Sequence, residues 1–259
     1  MSMTGYKAAV IGAGSGIGAA IALEYARQGA DVAFMDLNID SAEKFVQEAK
    51  VSGDTNCFAC KIDVRDGSSI KEAFAEVQNK FGELDTVVYS AGVSLILPFL
   101  DCTEQEWDLT MDVNLKGMFL ALQKAVPMML KKKTGSIICL SSQSGKMGAS
   151  HYQAYCASKF GVIGMVQSLA LEFAANGIRV NALCPGVVLT PMWDKQVSSY
   201  ARKRNLKDEE VMPYFESKIP MKRLGTLEDV TSMAVFLAGD GSSYLTGQAF
   251  NICGGQVMF

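Results

Sequence analysis

The sequence predicts an α/β fold, a single-domain doubly wound parallel sheet of about seven strands, and two patterns carry this prediction. Short β-rich runs alternate with amphipathic stretches along the chain, as expected for repeated βαβ units. Two of these runs, 8–11 and 137–140, are apolar without a break, which is typical of parallel strands covered by helices on both faces. With 259 residues, 49% of them hydrophobic, the chain is long enough for one large core, so we expect one domain over residues 1–259.

The strands are predicted where β-branched, aromatic and other apolar residues cluster between turn-forming residues. The predicted strands are residues 7–11, 31–36, 56–63, 86–89, 136–140, 179–183 and 248–252. Helical patterns lie between them. Capping boxes, in which an acidic residue follows a threonine by three positions, mark two helix starts, at Thr103 with Glu106 and at Thr226 with Asp229.

Residues 191–223 interrupt this alternation late in the chain. The segment contains eight basic and five acidic residues, a net charge of +3, and since the whole chain carries -3, the remainder carries -6. One interpretation is a small helical lid over a substrate, because long insertions in such folds often carry binding residues. The other interpretation is a solvated helical hairpin, and the sequence leaves both open.

The composition excludes several classes of function. His151 is the single histidine, whereas Ser-His-Asp hydrolases and most catalytic zinc sites need imidazole, so we expect no metal. A net charge of -3 without a long basic run argues against nucleic-acid and membrane-surface partners. Residues 8–23 are uncharged but rich in glycine and too short for a membrane helix, so we expect a cytoplasmic protein. The seven cysteines, an odd number, are expected to be reduced.

A glycine-rich turn after the first predicted strand indicates a nucleotide site. Gly12, Gly16 and Gly18 stand where the strand gives way to a helix, so the backbone can approach a pyrophosphate and the helix N-terminus can supply free N–H groups. Asp36 ends the second strand eighteen residues after Gly18, where a carboxylate accepts hydrogen bonds from an adenosine ribose and repels the extra phosphate of NADP. NAD is therefore the predicted cofactor. The alternative for Asp36 is a loop carboxylate that caps the next helix.

A second constellation indicates proton transfer. Tyr155 and Lys159 are four residues apart in a helical stretch and so share one helix face. Oxidation of an alcohol needs a base for the hydroxyl proton, and a nearby ammonium favours ionisation of a phenol whose usual pKa is about 10. Ser142, just after the fifth strand, supplies a hydroxyl for the substrate oxygen. Alone, the Tyr and Lys could equally be surface side chains one turn apart.

Together these residues resemble the short-chain dehydrogenase/reductase family. The resemblance covers essentially the whole chain and includes the three glycines, an Asn-x-x-Gly at Asn114, the Ser142, Tyr155 and Lys159 set, and Pro185-Gly186 followed by Thr190. It implies a Rossmann-type fold, a small-molecule alcohol or ketone substrate and a homotetramer built across helices near 112–131 and 153–175.

The resemblance also implies individual roles. Tyr155 would be the catalytic acid and base. Lys159 would lower the pKa of Tyr155 and bind the nicotinamide ribose. Ser142 would stabilise the reacting oxygen, and Asn114 would hold a water in the proton relay. Thr190 would contact the nicotinamide carboxamide, and Asp36 and Asp63 the adenosine side. The implied cofactor-binding residues are Gly12, Ser15, Gly16, Ile17, Gly18, Asp36, Asp63, Val64, Ala91, Gly92, Tyr155, Lys159, Pro185, Gly186, Val188 and Thr190.

Two departures from the family pattern concern the strand ends. Ile11 stands before the first glycine, where the family often has threonine, and Tyr89-Ser90-Ala91-Gly92 replaces the usual Asn-Asn-Ala-Gly. The chemistry does not depend on these positions. They put in doubt the usual side-chain hydrogen bonds that brace the fourth strand.

Within the family, residues 89–92, 144–151 and 254–259 look like those of sorbitol-6-phosphate dehydrogenases, and polyol and diol dehydrogenases are close alternatives. The resemblance implies an NAD-dependent dehydrogenase that converts a secondary hydroxyl of a sugar alcohol, phosphorylated or not, to a ketone. Lys146 and His151, with Arg223 or the basic cluster 202–204, are candidates to hold a substrate phosphate. Trp193 is a candidate to pack on the substrate from the lid.

Two alternative functions remain open from the sequence. A dehydrogenase for a diol or for a hydrophobic alcohol such as a steroid would use the same chemistry, and the 14 methionines would give it an adaptable pocket. A non-catalytic nucleotide-sensing protein could keep the fold. The intact Ser142, Tyr155 and Lys159 argue against a sensor, which has no need of all three.

Overall fold

A seven-stranded parallel sheet forms the centre of the molecule, as the sequence predicts. The computed structural model describes residues 2–52 and 55–259, and within them the strand order is β3-β2-β1-β4-β5-β6-β7. The strands are β1 (Lys7–Ile11), β2 (Asp31–Asp36), β3 (Phe58–Lys61), β4 (Thr86–Tyr89), β5 (Gly135–Leu140), β6 (Ile178–Pro185) and β7 (Ala249–Ile252). The helices are α1 (Gly16–Arg27), α2 (Ile39–Ser52), α3 (Gly67–Phe81), α4 (Glu104–Met111), α5 (Gly117–Leu130), α6 (Gln153–Phe173), α7 (Pro191–Asp194), α8 (Val197–Arg204), α9 (Val211–Lys218) and α10 (Leu227–Ala238).

Two strands, β3 and β6, differ from the prediction by more than one residue at an end, because side chains and neighbouring strands decide where pairing stops. The predicted strand 56–63 is shorter in the structure, because the Asn56 N–H bonds the Asp31 side chain and the Asp63 N–H bonds the Ser69 hydroxyl instead of continuing the ladder. β6 is longer than predicted. Its last residue, Pro185, pairs with Ile252 of β7.

The sheet is buried on both faces, which explains the unbroken apolar strands. In β1, Ala9 and Ile11 pack into one core with α3, α5 and α6, whereas Ala8 and Val10 pack into the other core with α1, α2 and α10. Successive side chains of a strand point to opposite faces, so a strand between two helical layers has no polar side.

Both predicted capping boxes are confirmed. Thr103 caps α4 and Thr226 caps α10, each accepting a hydrogen bond from the backbone N–H of the acidic residue three positions on. In each case the threonine N–H donates to the carboxylate of that acidic residue.

One helix among the described residues, Gln153–Asn176 with a mean hydropathy of 1.2, is long and apolar enough to span a membrane. It contains α6, whose inner face places Val162, Val166 and Ala170 in the core beside β5 and β6. Burial against the sheet therefore accounts for part of its apolar character.

The segment 191–223 forms α7, α8 and α9 between β6 and α10. These helices build a satellite apolar cluster with the main body, in which Tyr200, Val211 and Phe215 pack near Tyr152. Trp193 packs edge-on against Phe215, with ring centroids 5.0 Å apart. The segment, called the cover below, is thus packed against the main body, and its action as a lid over a substrate stays a prediction.

Candidate active site

A cavity of about 820 Å³ lies at the carboxyl ends of the central strands. The loops after β1, β4, β5 and β6 form its floor, and α7, α8 and α9 form its opposite wall. The strand order reverses between β1 and β4, and in a doubly wound sheet this switch point is where a crevice for ligands opens.

The glycine turn after β1 forms one end of the cavity. Gly12 has φ +86°, and a Cβ there would lie 2.5 Å from the backbone nitrogen of Ala91. A Cβ on Gly18 would lie 2.0 Å from the carbonyl oxygen of Gly12, so this glycine lets α1 begin directly against the turn. Gly12, Ser15, Gly16 and Ile17 line the cavity, whereas Gly18 packs behind it.

Asp36 lines the same end of the cavity, and its carboxylate is held by the backbone. One oxygen accepts the Gly14 N–H at 2.8 Å and the other accepts the Asn38 N–H at 2.9 Å. Asn38, not Asp36, bonds the first turn of α2, since its side chain accepts the Ser41 N–H and its carbonyl the Ala42 N–H. Each Asp36 oxygen keeps an acceptor position, which fits the hydroxyls of a ribose.

Asp63 also lines the cavity, but its carboxylate is paired. The Arg65 guanidinium lies 2.7 Å from one oxygen, and its hydrogen bonds hold the pKa of the Asp63 carboxyl below its usual range. The Asp63 side chain is therefore less available to an adenine than the sequence suggests.

The remaining residues predicted to bind the cofactor lie along the cavity between these acids and the centre of the sheet. They are Val64, Ala91, Gly92, Pro185, Gly186, Val188 and Thr190. Loops that are far apart in sequence thus line one cavity, which we also call the channel. Its volume suits a dinucleotide plus a small substrate.

Ser142, Tyr155 and Lys159 meet at the middle of this channel. α6 begins at Gln153, so Tyr155 lies in its first turn and Lys159 one turn later. The Ser142 hydroxyl is placed to donate to the Tyr155 phenol oxygen, and the Lys159 ammonium lies 5.7 Å from the centroid of the Tyr155 ring. The ammonium donates to the Leu140 carbonyl at 2.7 Å.

Burial dominates the electrostatics of this triad. It raises the pKa of Tyr155, against the lowering effect of the Ser142 hydrogen bond. It also lowers the pKa of Lys159 to about 8, because the buried ammonium is desolvated. The net shift of the Tyr155 pKa is thus upward in this structure, opposite to the lowering by Lys159 that the family resemblance implies.

Asn114 lies in a π-helical turn, residues 112–116, that joins α4 to α5. Its side-chain oxygen accepts the Val93 N–H at 2.8 Å, and its side-chain nitrogen donates to the Val93 carbonyl at 2.9 Å and to the Ser158 hydroxyl at 3.0 Å. Both N–H groups of the amide are committed, and the residue is fully buried. The Asn114 side chain therefore links the loop after β4 to α6. It does not line the cavity, where it would have to lie to hold a water.

Three of the four predicted substrate residues do not line the cavity. The Lys146 ammonium donates to the carbonyls of Ala249 and Phe259, each at 2.7 Å. His151 adopts φ +63° in a turn, where its carbonyl accepts the Leu97 N–H. Arg223 forms a bidentate ion pair with Asp229, the acidic residue of the capping box at the start of α10. The structure therefore does not bring Lys146, His151 or Arg223 into the lining of the cavity, whereas Trp193 does line it.

The cover contributes lining residues, of which the sequence analysis singled out the basic cluster 202–204 as a candidate to hold a phosphate, but not Lys218 or the two tyrosines. Three cations and two tyrosines line the wall formed by α8 and α9, namely Lys203, Arg204, Lys218, Tyr200 and Tyr214. A signal for them exists in the sequence, since each cation follows a tyrosine by three or four residues and so shares its helix face. The glutamines Gln143 and Gln256 also line the cavity and carried no such signal.

No group of three or more His, Cys, Asp or Glu side chains that could hold a metal ion occurs within residues 2–52 and 55–259. The cysteines are free thiols. Cys60 is buried in β3, where desolvation raises its pKa to about 12, so it packs as an apolar side chain.

Comparison with known proteins shows the family of the chain. A family described as enoyl-(acyl carrier protein) reductase matches residues 12–256. Oxidoreductase UcpA of Salmonella typhimurium is 41% identical over 258 residues, which cover 99% of this chain and 96% of that protein. A 3-oxoacyl-[acyl-carrier-protein] reductase, FabG of Staphylococcus epidermidis, is 39% identical over 97% of this chain and 99% of its own length.

Solved structures extend the likeness to the whole fold. Sorbitol-6-phosphate 2-dehydrogenase SrlD from Erwinia amylovora superposes with a TM-score of 0.94 at 38% identity, covering 97% of this chain and all of that chain. An actinorhodin polyketide ketoreductase with NADPH gives a TM-score of 0.94 at 31% identity, covering 99% of each chain. Together with the glycine turn, the triad and the dinucleotide-sized channel, these matches show that the chain belongs to the short-chain dehydrogenase/reductase family of oxidoreductases.

Proposed function

We propose that the protein is an NAD-dependent dehydrogenase that interconverts a secondary hydroxyl of a sugar alcohol and the corresponding ketone, as in sorbitol 6-phosphate and fructose 6-phosphate. The observation that carries this proposal is the meeting of Ser142, Tyr155 and Lys159 at the middle of the channel. A hydroxyl placed against Ser142 and Tyr155 has its proton within reach of the phenol oxygen.

The residues of the triad divide the work of proton transfer. Ser142 donates a hydrogen bond that stabilises negative charge on oxygen, either on Tyr155 or on the reacting substrate. Lys159 supplies a positive charge close to the Tyr155 ring, and this attraction is strong in a site from which water is excluded. A bound nicotinamide would accept or supply the hydride. Tyr155 takes the hydroxyl proton in oxidation and returns it in reduction.

The preference for NAD rests on Asp36. Its carboxylate faces the end of the channel next to the glycine turn, where it would accept from a ribose hydroxyl and repel a ribose phosphate. Arg65 also lines this end of the channel, and its guanidinium is paired with the Asp63 carboxylate. A ribose phosphate would thus meet one carboxylate and no free cation among these neighbours.

Polar side chains in the lining favour a substrate with several hydroxyls. Ser94, Gln143 and Gln256 all line the cavity. The Ser94 hydroxyl and the side-chain oxygens of the two glutamines are enclosed and have no hydrogen-bond partner in the described structure. A polar lining suits the hydroxyl groups of a polyol better than the apolar skeleton of a steroid-type alcohol.

The Tyr155→Phe variant tests this function. It removes the hydroxyl that carries the proton, and we expect kcat for the oxidation of sorbitol 6-phosphate or sorbitol to fall by about 10²- to 10⁴-fold. NADH binding, followed by nucleotide fluorescence, is expected to stay within twofold of the parent. Tyr244→Phe, which makes the same change at a fully exposed position, serves as the control. Turnover by the Tyr155→Phe protein at the parental rate would overturn the mechanism.

A further inference from the structure

Apart from Lys159 of the triad and Arg65, which is paired with Asp63, the charges that line the channel are acidic near β2 and β3 and basic on the cover. The carboxylates of the lining, Asp36 and Asp63, lie at the end formed by β2 and β3. The charged residues that the cover contributes, Lys203, Arg204 and Lys218, are all cations. The wall opposite the triad is therefore positive although the chain as a whole carries -3.

These cations are not neutralised by acidic side chains. None of the ion pairs formed among residues 2–52 and 55–259 includes Lys203, Arg204 or Lys218. Two acids of the cover are engaged elsewhere, since Asp208 accepts the Ser198 hydroxyl and Glu210 accepts the Lys207 N–H. The cover thus presents positive charge to the cavity without its own counterions.

Aromatic rings hold the three cations in place. The Lys203 amine lies 4.8 Å from the ring centroid of Tyr152 and 5.2 Å from that of Tyr200. The Arg204 guanidinium lies between Tyr200 and Tyr214, at 5.9 and 5.7 Å, and the Lys218 amine lies 5.5 Å from Tyr214. Ring faces attract cations but accept few N–H hydrogen bonds, so most donors of these groups stay available.

The cations also repel one another. Burial and the charge of Arg204 both lower the pKa of Lys203, burial being the larger cause. The Lys203 amine has one hydrogen bond to the main chain, at 2.6 Å to the Ser150 carbonyl. An anion between these side chains would relieve the repulsion and supply acceptors for the open N–H groups.

The positive wall is within a short molecule's length of the reacting position. Tyr152 links the two, because its ring centroid lies 6.0 Å from that of Tyr155 on one side and 4.8 Å from the Lys203 amine on the other. A short carbon chain whose hydroxyl meets Tyr155 can therefore place its far end among the cations.

We propose that Lys203, Arg204 and Lys218 form an anion-binding subsite that holds a phosphate or carboxylate group at the far end of the substrate. This inference rests on the proposed function, which places the reacting hydroxyl at Tyr155. It assigns the recognition of substrate charge to the cover, and not to the loop that contains Lys146.

Kinetics of Arg204→Met and Lys218→Met test the subsite, because both side chains are exposed and their replacement leaves the core intact. For sorbitol 6-phosphate, we expect each change to raise KM about tenfold and to leave kcat within twofold, since it removes charged hydrogen bonds far from the reacting atoms. KM for neutral sorbitol is expected to stay unchanged. Gluconate, which carries a carboxylate on a chain of similar length, shows whether the subsite accepts both anions.

Arg202→Met is the matched control. Arg202 lies on the same helix, bonds Ser199 near its own turn and does not line the cavity, so its loss removes the same charge from the cover. We expect this variant to keep the parental KM for every substrate. Equal KM increases in Arg202→Met and Arg204→Met, or none in Arg204→Met and Lys218→Met, would overturn the subsite.

Inorganic phosphate provides a readout that does not depend on turnover. By calorimetry, we expect saturable binding to the parent and to Arg202→Met, and at least tenfold weaker binding to the Arg204→Met, Lys218→Met double variant. If no polyol or ketose is turned over but phosphate binds in this pattern, the proposed substrate class fails and the subsite stands. If neutral polyols are turned over while phosphate does not bind the parent, the subsite fails and the proposed function stands.

Discussion

At the scale of single residues, Lys159 illustrates how burial sets the chemistry of the site. Its ammonium is fully enclosed, and the hydrogen bond described for it goes to the neutral carbonyl of Leu140. Desolvation penalises the charged form and lowers its pKa from 10.5 to about 8. Keeping the positive charge of Lys159 beside Tyr155 at neutral pH therefore lowers the free energy of unfolding.

This cost predicts a pH dependence of stability. Between pH 8 and 10 the unfolded chain keeps the Lys159 proton while the folded protein loses it, so the free energy of unfolding should rise with pH. The slope is at most about 1.4 kcal/mol per pH unit for one proton. We expect the parent to gain stability relative to Lys159→Met over this window in urea titrations. A difference that stays flat or shrinks as the pH rises would contradict the assigned pKa.

The residue scale also shows what local sequence can and cannot predict. Tyr155 and Lys159 are four residues apart, so their spacing alone places them together. Lys146 looked like a substrate contact because it follows Ser142 closely in sequence. Its partners, the carbonyls of Ala249 and Phe259, come from the far end of the chain, and only the fold brings them near.

At the scale of elements, the π-helical turn between α4 and α5 explains the unusual end of β4. The Tyr89 hydroxyl donates to the Val113 carbonyl, a contact that replaces the bracing expected from asparagine side chains at this strand end. Gly117 is needed beside it, because a Cβ there would lie 2.7 Å from the Tyr89 oxygen. The turn could not be predicted from helical periodicity, since it depends on a partner from a distant strand.

Tyr89→Phe tests whether this brace supports the site. The change leaves a buried carbonyl without its donor, and we expect a loss of about 1–3 kcal/mol in the free energy of unfolding. Tyr25→Phe is the matched control, because the equally buried Tyr25 hydroxyl donates to the Ala234 carbonyl between α1 and α10. We expect kcat to fall in Tyr89→Phe alone, since Val113 lines the cavity and Asn114 clamps the adjoining loop to α6. Equal kcat values in the two variants would contradict this role.

At the scale of the whole molecule, the order of the strands brings the site together. β1, β4, β5 and β6 are neighbours in the sheet, so the loops that follow them meet at one edge although they span most of the chain. The alternation of elements predicted a doubly wound sheet, and capping boxes predicted two helix starts. The role of 191–223 stayed open, because its charge pattern fits both a hairpin and a cover. The buried Tyr200 and Val211 show that the segment packs against the main body, and its role as a lid stays a prediction.

Initial-rate formation of reduced nucleotide by the parent protein tests the central claim most directly. The assay compares sorbitol 6-phosphate, sorbitol, butanediol and a steroid alcohol, each with NAD and with NADP. Because Asp36 lies at the nucleotide end of the channel and the polar side chains of Ser94, Gln143 and Gln256 line it, we expect polyol oxidation with NAD, fastest at low concentrations of the phosphate ester. Turnover confined to the steroid alcohol, or efficient turnover with NADP alone, would contradict the account.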